Sequence, residues 1–267
     1  MKRLWMAVLI LPHLLAAAGA QEASLYSKID EHALDAPAEA ESSLEALSQY
    51  LAGPAKNDEE RARAIYRWIT ANVEYDVECL MTGDCGGRTP EEVLEDGRGV
   101  CSEYSALFQK LSELAGLESV VVRGYGKGYG YTVGSKVAEE RKHAWNVVKI
   151  DGVWRLVDSA WGAGHLDPEE GFVQSFEEFY FLTPPEELVW THLPEDPSWQ
   201  LLDLTLSKEE FEGLVYAKPA FFKNGLETAS HLNGTINADE GANVSLRTPG
   251  NVSVIAELLD EEGRKLP

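Results

Sequence analysis

The clearest hydrophobic pattern in the chain has the spacing of amphipathic helices. Apolar residues recur every three or four positions within 58–72 and again within 101–116, and this spacing places them on one face of a helix. A shorter repeat at 44–51 predicts one helix before a Gly-Pro break. Residues 89–92, Thr-Pro-Glu-Glu, predict a further helix start, because they combine an N-cap, a proline at the first helical position and a capping box.

Beyond residue 116 the pattern changes to short segments typical of strands. Segments 119–123, 143–150 and 153–158 are predicted strands, and the last two are separated by Asp151-Gly152, a strong signal for a two-residue hairpin. Short β segments continue to the end of the chain. We therefore expect an α+β fold, with helices packed on an antiparallel sheet, followed by a small all-β module at 195–267. Because the sequence stops soon after a strand, we expect this module to be small or incomplete.

The predicted hairpin brings a histidine close to an aspartate. With Asp151-Gly152 as its loop, residue 145 faces residue 158, and directly opposed residues share one face of the sheet. His143 is then the diagonal neighbour of Asp158, and diagonal pairs lie about 7–8 Å apart at the backbone, within reach of their side chains. A carboxylate in this position fixes the imidazole tautomer that can take a proton from a thiol. A structural histidine beside an unrelated aspartate is the alternative.

Cys101 begins the second amphipathic helix, immediately after a Gly-rich break. A thiolate at a helix N-terminus is stabilised by free N–H groups and by the helix dipole, so its pKa falls. Its own N–H has no partner within the helix and can bind an oxyanion. The position therefore suits a nucleophile, although a small buried core residue is the ordinary role of a single cysteine.

The N-terminus has the form of a secretory signal peptide. Lys2 and Arg3 precede an apolar run at 4–18, and Ala-Gly-Ala at 18–20 matches a cleavage site. A retained membrane anchor is less consistent, because the run is shorter than the ~20 residues needed for a span. We expect residues 1–20 to be removed and the protein to be periplasmic or extracellular, with no stable membrane span after cleavage.

The charge of the chain argues against several classes of partner. The net charge is −22, and removal of Lys2 and Arg3 changes it to −22 − 2 = −24. Such a surface repels phosphate backbones and anionic lipids, so nucleic acid is not an expected partner. Residues 21–56 are acidic and carry the single helix predicted above.

The three cysteines are informative in an oxidising compartment. Cys79 and Cys85 flank a short turn-rich loop and could form a disulfide, which would leave Cys101 free. Three reduced cysteines are the alternative.

Three segments around the candidate residues have the form of motifs: Gly-Val-Cys-Ser-Glu-Tyr at 99–104, Lys-His-Ala-Trp-Asn at 142–146 and Trp-Arg-Leu-Val-Asp-Ser-Ala-Trp-Gly at 154–162. They resemble the core motifs of the transglutaminase-like superfamily, most closely its kyphoscoliosis-peptidase-like branch. The resemblance implies a papain-like catalytic domain at 57–190. It also implies a catalytic triad of Cys101, His143 and Asp158, in that chain order.

The resemblance implies cysteine-dependent acyl transfer on a peptide or protein, through a thioester. We favour a cysteine peptidase or amidase. The alternatives are a protein-crosslinking transglutaminase and a non-catalytic binding or scaffold protein with a papain-like cleft. No cofactor is expected, and no metal either, because the metal-capable group at 165–169 lacks a second cluster. We expect the C-terminal module to dock substrate or an envelope partner, by analogy of fold.

Several aromatic residues near the motifs are candidates for the substrate cleft. Tyr75 could help to bind the oxyanion, while Trp145 and Trp161 could form cleft walls; for each, a packed core residue is the alternative. The Gly- and Tyr-rich segment 124–131 is not a phosphate-binding loop, because no helix pattern follows it. We interpret it as a flexible rim of a peptide-binding cleft; an ordinary solvent-exposed loop is the alternative.

Overall fold

The chain folds into two compact units. The computed structural model describes residues 5–11, 25–83, 87–139, 142–236 and 243–259, with the backbone alone at 5–11 and 256–259. Tyr26–Tyr216 forms the larger unit, and Ala217–Pro267 forms the smaller one together with Met1–Leu25.

The larger unit contains helices α1–α9 and strands β2–β10, and the smaller unit contains α10, β1 and β11–β13. The helices are α1 (Ser27–Leu34), α2 (Leu44–Ala52), α3 (Asp58–Asn72), α4 (Val77–Thr82), α5 (Pro90–Asp96), α6 (Cys101–Leu114), α7 (Ser159–Ala163), α8 (Pro185–Leu188), α9 (Lys208–Gly213) and α10 (Pro219–Lys223). The strands are β1 (Trp5–Leu11), β2 (Glu74–Tyr75), β3 (Arg98–Gly99), β4 (Ser119–Gly126), β5 (Lys142–Ile150), β6 (Val153–Val157), β7 (Gly164–Asp167), β8 (Gly171–Gln174), β9 (Phe181–Thr183), β10 (His192–Pro194), β11 (Glu227–Thr228), β12 (Leu246–Arg247) and β13 (Ser253–Leu259).

The centre of the larger unit is a five-stranded antiparallel sheet in the order β10-β4-β5-β6-β9. The predicted hairpin is present: Ile150 pairs with Val153, and Asp151 and Gly152 both have positive φ (49° and 83°), as a tight hairpin turn requires. Pairing continues to Asn146 opposite Val157, which is the predicted register.

Helix α6 packs in the main hydrophobic core beside the sheet. Its Leu107, Phe108 and Leu111 are fully buried and belong to the same cluster as Val148 and Ile150 of β5. The apolar stripe seen in the sequence is therefore the face that holds the nucleophile helix in place. The predicted start of α5 is also confirmed, with Pro90 in its first turn and a capping box between Thr89 and Glu92.

The larger unit begins earlier than the predicted catalytic domain at 57–190. The segment 21–56 contributes two helices, α1 and α2, rather than one. Arg63 of α3 is buried (1% exposed) and makes two 2.7 Å hydrogen bonds to Asp30 of α1, and it also pairs with Glu178. A buried guanidinium needs such partners, so α1 is part of the folded domain.

The larger unit also ends later than predicted, at Tyr216. Residues 208–213 lie in the predicted β module but form helix α9, whose Phe211 is fully buried in a cluster with Val137 and Leu193. The physical reason is that the apolar face of this short helix packs against the edge strand β10 of the five-stranded sheet.

The smaller unit consists mainly of short strands. β11 pairs with β12, and β1 pairs antiparallel with β13 along seven residue pairs from Trp5–Leu259 to Leu11–Ser253. An α+β core followed by a C-terminal β module is thus confirmed. Removal of residues 1–20 stays a prediction, and no helix in the described part of the chain is long and apolar enough to cross a membrane.

Candidate active site

Two short parallel strands lead the chain to the nucleophile. The Glu74 N–H donates to Gly97 O (2.8 Å) and the Asp76 N–H to Gly99 O (2.9 Å), which brings Tyr75 alongside the entry to α6. Val100 precedes the helix in an extended conformation, and Cys101 is its first residue. The predicted position of the thiol at a helix N-terminus is confirmed.

A buried carboxylate stabilises this helix start. Glu103 is 4% exposed, and its side chain accepts hydrogen bonds from the Val100 N–H (2.9 Å) and the Arg88 N–H (2.8 Å). The Arg88 guanidinium also pairs with Asp76 (3.0 Å) and Asp96 (2.9 Å). The segment before the nucleophile is therefore fixed to the helix by charged groups.

Cys101 is a free thiol with partial solvent access. Burial alone would raise its pKa, but a hydrogen bond with His143 and the charge of that imidazole lower it, and hydrogen bonds from the Ala144 N–H and the Tyr75 hydroxyl act in the same direction. The surroundings of the sulfur therefore favour thiolate.

His143 lies near the start of β5 and is 7% exposed. Its Nε2 is 2.6 Å from Oδ2 of Asp158. Burial opposes charge on this imidazole, yet the negative charge of Asp158 and the hydrogen bond to it raise the pKa of His143 to about 10. The directions of both pKa shifts therefore favour an imidazolium–thiolate pair of His143 and Cys101.

Asp158 ends the hairpin and caps the next helix. Its Oδ1 accepts the Trp161 N–H at 3.0 Å as N-cap of α7, while Oδ2 faces His143. Although burial would raise the pKa of this carboxyl, the neighbouring His143 and a second histidine, His192, hold it well below its usual range. The structure thus brings together all three predicted triad residues.

His192 also contacts Asp158, and the sequence did not indicate it. It is 2% exposed on the edge strand β10, and its Nε2 lies 2.9 Å from Asp158 Oδ2. Burial lowers the pKa of His192, although Asp158 acts in the opposite direction. No motif surrounds it, and only the pairing of β10 with β4, which sets His192 opposite Gly126, brings it to the site.

His143, Asp158 and His192 have side chains that can also bind metals, and their candidate ligand atoms lie within 4.8 Å of one another. However, both imidazoles approach the same carboxylate oxygen at hydrogen-bond distances of 2.6 and 2.9 Å. Hydrogen bonds therefore account for the cluster. His165, in the metal-capable group of the sequence, is exposed on β7 and lies outside this cluster.

Tyr75 lies against the nucleophile, as predicted. Its hydroxyl donates to the Cys101 thiolate and accepts from the Cys101 N–H. Burial, and then the negative charge of Cys101, raise the pKa of Tyr75, so this phenol stays protonated and remains a hydrogen-bond donor.

The two tryptophans have different positions. Trp145 is 1% exposed and packs with Val122, Val147 and Leu156, so it is a core residue and not the predicted cleft wall. The reason is that β5 is the central strand of a covered sheet. Trp161 is half-buried, and its ring centroid lies 5.0 Å from that of His143, so it remains beside the catalytic base.

The Gly- and Tyr-rich segment is anchored rather than a free rim. Lys127 is fully buried; its N–H donates to Thr191 O (2.9 Å), and its Nζ donates to Leu214 O (3.1 Å). Desolvation lowers the pKa of Lys127 to about 8. A Cβ added at Gly128 would be 2.7 Å from Trp161 Cζ2, so this glycine lets the backbone close against the site.

The predicted disulfide is described only in part. Cys79 is disulfide-bonded, and Cys101 is free. Cys85, its predicted partner, lies outside the described residues.

Two family models match different parts of this chain. The family profile of the transglutaminase-like superfamily matches residues 45–159, and that of the KY-like, immunoglobulin-like domain matches 208–266. The first match contains Cys101, His143 and Asp158, and the second covers most of the smaller unit.

Curated relatives match over most of this chain. The chain is 36% identical to Kyphoscoliosis peptidase of Mus musculus over 229 residues, which cover 84% of this chain and 34% of that protein. For the Homo sapiens protein of the same name the identity is 37% over 217 residues, with 81% and 32% covered. Hillarin of Drosophila melanogaster is 32% identical over 227 residues, with 79% and 27% covered. The chain thus spans about a third of the length of these relatives.

Proposed function

The chain belongs to the transglutaminase-like superfamily, in its kyphoscoliosis-peptidase-like branch, and from that premise we propose that it is a cysteine peptidase or amidase acting on peptide or protein amides. The observation that carries the proposal is the contact of Cys101 with His143, whose Nε2 is in turn 2.6 Å from Asp158. This arrangement supplies an activated thiolate, a proton donor and a fixed counter-charge.

The reaction follows from the charge states of these groups. The Cys101 thiolate attacks the amide carbonyl carbon and forms a C–S bond, and the carbonyl oxygen becomes an oxyanion. The His143 imidazolium then gives its proton to the leaving nitrogen, and the C–N bond breaks to give a thioester and a free amine. Water next attacks the thioester with neutral His143 as base, which releases a carboxylic acid and restores the thiolate.

Two donors are available for the oxyanion. The Cys101 N–H donates to the Tyr75 hydroxyl, and the hydroxyl donates to the thiolate. A substrate oxygen that enters between them would receive both hydrogens. We therefore assign Tyr75 to oxyanion binding and Trp161, beside His143, to the cleft.

Two alternatives use the same cleft. An amine that replaces water as acyl acceptor would make the protein a crosslinking transglutaminase, and a cleft that only holds a partner would make it a scaffold. The polarised Cys101–His143 pair favours catalysis, while the resemblance to the peptidase-like branch favours hydrolysis.

Alkylation of Cys101 tests catalysis without a known substrate. Iodoacetamide modification is followed against pH in wild type and in His143→Ala. We expect wild type to react well below pH 8, and the variant to follow an ordinary thiol with a midpoint near ~8.5. Identical profiles near ~8.5 in both proteins would exclude an activated cysteine.

The products of the reaction show whether water or an amine is the acyl acceptor. Exported proteins incubated with wild type or Cys101→Ser are compared by mass spectrometry. New termini that depend on Cys101 support hydrolysis, whereas new isopeptide links show that the enzyme is a transglutaminase. If Cys101→Ser processed substrate at the wild-type rate, the thiol mechanism would be contradicted.

We also propose that the protein is exported and that the C-terminal module docks substrate or an envelope partner. The N-terminal pattern of Lys2, Arg3 and an apolar run supports export. N-terminal sequencing of the protein from its native compartment should give a chain that starts at Gln21, and a chain that retains Met1 would argue against cleavage.

A further inference from the structure

We propose that His192, in the tautomer that carries hydrogen on Nε2, is a positioning residue that holds Asp158 in the orientation in which it receives His143. This inference rests on the function proposed above. It extends the triad by a fourth side chain, which acts on the base through the carboxylate and does not touch substrate.

The hydrogen-bond inventory of Asp158 supports this role. The ionised carboxylate can only accept, and Asp158 is 1% exposed. Oδ1 receives the Trp161 N–H at 3.0 Å, and Oδ2 lies 2.6 Å from His143 Nε2 and 2.9 Å from His192 Nε2. Both imidazoles must therefore donate, and donors at both oxygens restrict rotation of the carboxylate.

Thr191 selects the tautomer of His192. The Thr191 Oγ1 is 2.8 Å from His192 Nδ1 and 3.3 Å from Leu188 O, and Leu188 O already accepts the Thr191 N–H at 3.0 Å. The shorter contact takes the hydroxyl hydrogen, so Nδ1 accepts and the ring hydrogen lies on Nε2. Burial favours this neutral form of His192.

Aromatic rings fix the plane of the His192 imidazole. Trp145 meets it edge-on, with centroids 5.1 Å apart, and Trp161 lies at 4.3 Å and Tyr180 at 6.0 Å. His192 is only 2% exposed. The ring cannot rotate away from Asp158 without disturbing these contacts, so the donor is held in place before substrate arrives.

Loss of this donor should weaken the base more than the fold. Asp158 would keep His143 and the Trp161 N–H, but its Oδ2 would lose one fixed donor in a buried site. The carboxylate could then rotate, and His143 would no longer be aligned with Cys101. We therefore expect the midpoint pH of Cys101 alkylation to rise.

The first test compares His192→Leu with His192→Gln. Leucine fills space but has no donor, whereas the glutamine amide can place an N–H near the position of Nε2. Alkylation near pH 7 should fall about ten- to hundredfold in H192L, the range for a lost hydrogen bond to a charged group. It should remain closer to wild type in H192Q. His165→Gln, at an exposed histidine on β7, is the matched control and should react like wild type.

The second test keeps His192 and removes the hydroxyl group that donates to its Nδ1 and so favours the Nε2–H tautomer. Thr191→Val removes the hydroxyl and retains the branched shape, while Thr191→Ser retains the hydroxyl. We expect T191V, but not T191S, to alkylate more slowly and with a higher midpoint. This pair decides the question if H192L does not fold.

Nitrogen-15 NMR of the imidazoles gives a readout that does not depend on reactivity. His192 should show the Nε2–H tautomer at neutral pH in wild type, and the share of this tautomer should fall in T191V. An Nδ1–H tautomer in wild type, equal alkylation in T191V and T191S, or a folded H192L with the wild-type midpoint would each overturn the proposal. Failure of the proposed function would instead appear as an ordinary thiol in wild type itself.

Discussion

The two sides of the active site hold their side chains in different ways. On the helix side, Cys101 and Tyr75 are half-buried and lie where a short parallel strand pair meets the start of α6. On the sheet side, His143, Asp158 and His192 are 7%, 1% and 2% exposed. They are connected to one another through a single carboxylate.

This difference matches the tasks that the proposed function gives to the two sides. The sulfur has to meet a substrate carbonyl, so it needs an open approach. The charged groups that activate the sulfur have to be in place before substrate arrives. A buried charge is tolerated only when the groups that pair with it are held in fixed positions. The sheet supplies those partners, and changes on that side should therefore affect reactivity more than changes on the helix side.

The largest effect is expected from Asp158→Asn. The amide removes the charge that raises the pKa of His143 to about 10, so His143 becomes neutral at lower pH and no longer sustains the thiolate. Turnover should fall about 10²- to 10⁴-fold, the usual contribution of a positioned acid–base group. The alkylation midpoint should rise towards ~8.5.

A matched control for this change is Asp167→Asn. Asp167 is a partly exposed carboxylate on β7 whose Oδ1 accepts the Glu169 and Glu170 N–H groups. The Asp167→Asn variant should show the same pH profile of Cys101 alkylation as wild type. An Asp158→Asn protein with the wild-type midpoint would show that the sheet side does not set the reactivity of Cys101.

Local sequence signals were sufficient for much of the site. Asp151-Gly152 fixes a two-residue turn, and the turn fixes the register that brings His143 to Asp158. The capping pattern at Thr89 and the break before Cys101 likewise depend only on nearby residues. Such signals are readable because the physical cause lies within a few positions of the effect.

Contacts between distant segments could not be predicted in this way. His192 reaches Asp158 only because β10 adds to the edge of the sheet beside β4, and no short-range pattern specifies that order. The same holds for Asp30, which reaches Arg63 from α1. Trp145 lies two positions from His143, which makes it a candidate for the cleft in the sequence, but its burial depends on what covers the sheet.

A smaller and different effect is expected on the helix side from Glu103→Ala. The change removes the buried acceptor of the Val100 and Arg88 N–H groups. The free energy of unfolding should fall by about 2 kcal/mol, as for a lost hydrogen bond to a charged group. The alkylation midpoint should change little, because His143, Ala144 and Tyr75 make the contacts that lower the pKa of Cys101.

The control for Glu103→Ala is Glu92→Ala, and the free energy of unfolding of both variants is measured in denaturant. Glu92 accepts the Thr89 N–H (2.7 Å) in the capping box of α5 but is exposed, so its loss should cost about 1 kcal/mol or less. If Glu103→Ala instead raised the midpoint as strongly as Asp158→Asn, the proposed division between the two sides would be wrong.

The smallest effect, and the one that tests the charge pair itself, is the pH dependence of stability in Cys101→Ser. Between pH 7 and 8 the folded wild-type pair carries one proton, on His143, and the unfolded chain also carries one, on the thiol, because free histidine and cysteine titrate near ~6.5 and ~8.5. The folded and unfolded chains therefore bind the same number of protons at these two residues. This pair should add almost no slope to the plot of the wild-type free energy of unfolding against pH in that range.

In Cys101→Ser the balance is lost. In this variant the charge of Cys101 no longer raises the pKa of His143, but the charge of Asp158 and its hydrogen bond still do. A raised pKa of His143 stabilises the fold fully below ~6.5, and this stabilisation disappears as pH rises through the folded value. The free energy of unfolding should therefore fall by up to about 1.4 kcal/mol per pH unit relative to wild type. Urea unfolding of both proteins at pH 7 and 8 measures the difference. Parallel stabilities would mean that Asp158 does not keep His143 protonated at pH 7 to 8 once Cys101 is replaced, and Asp158 would then not be the main source of the raised pKa.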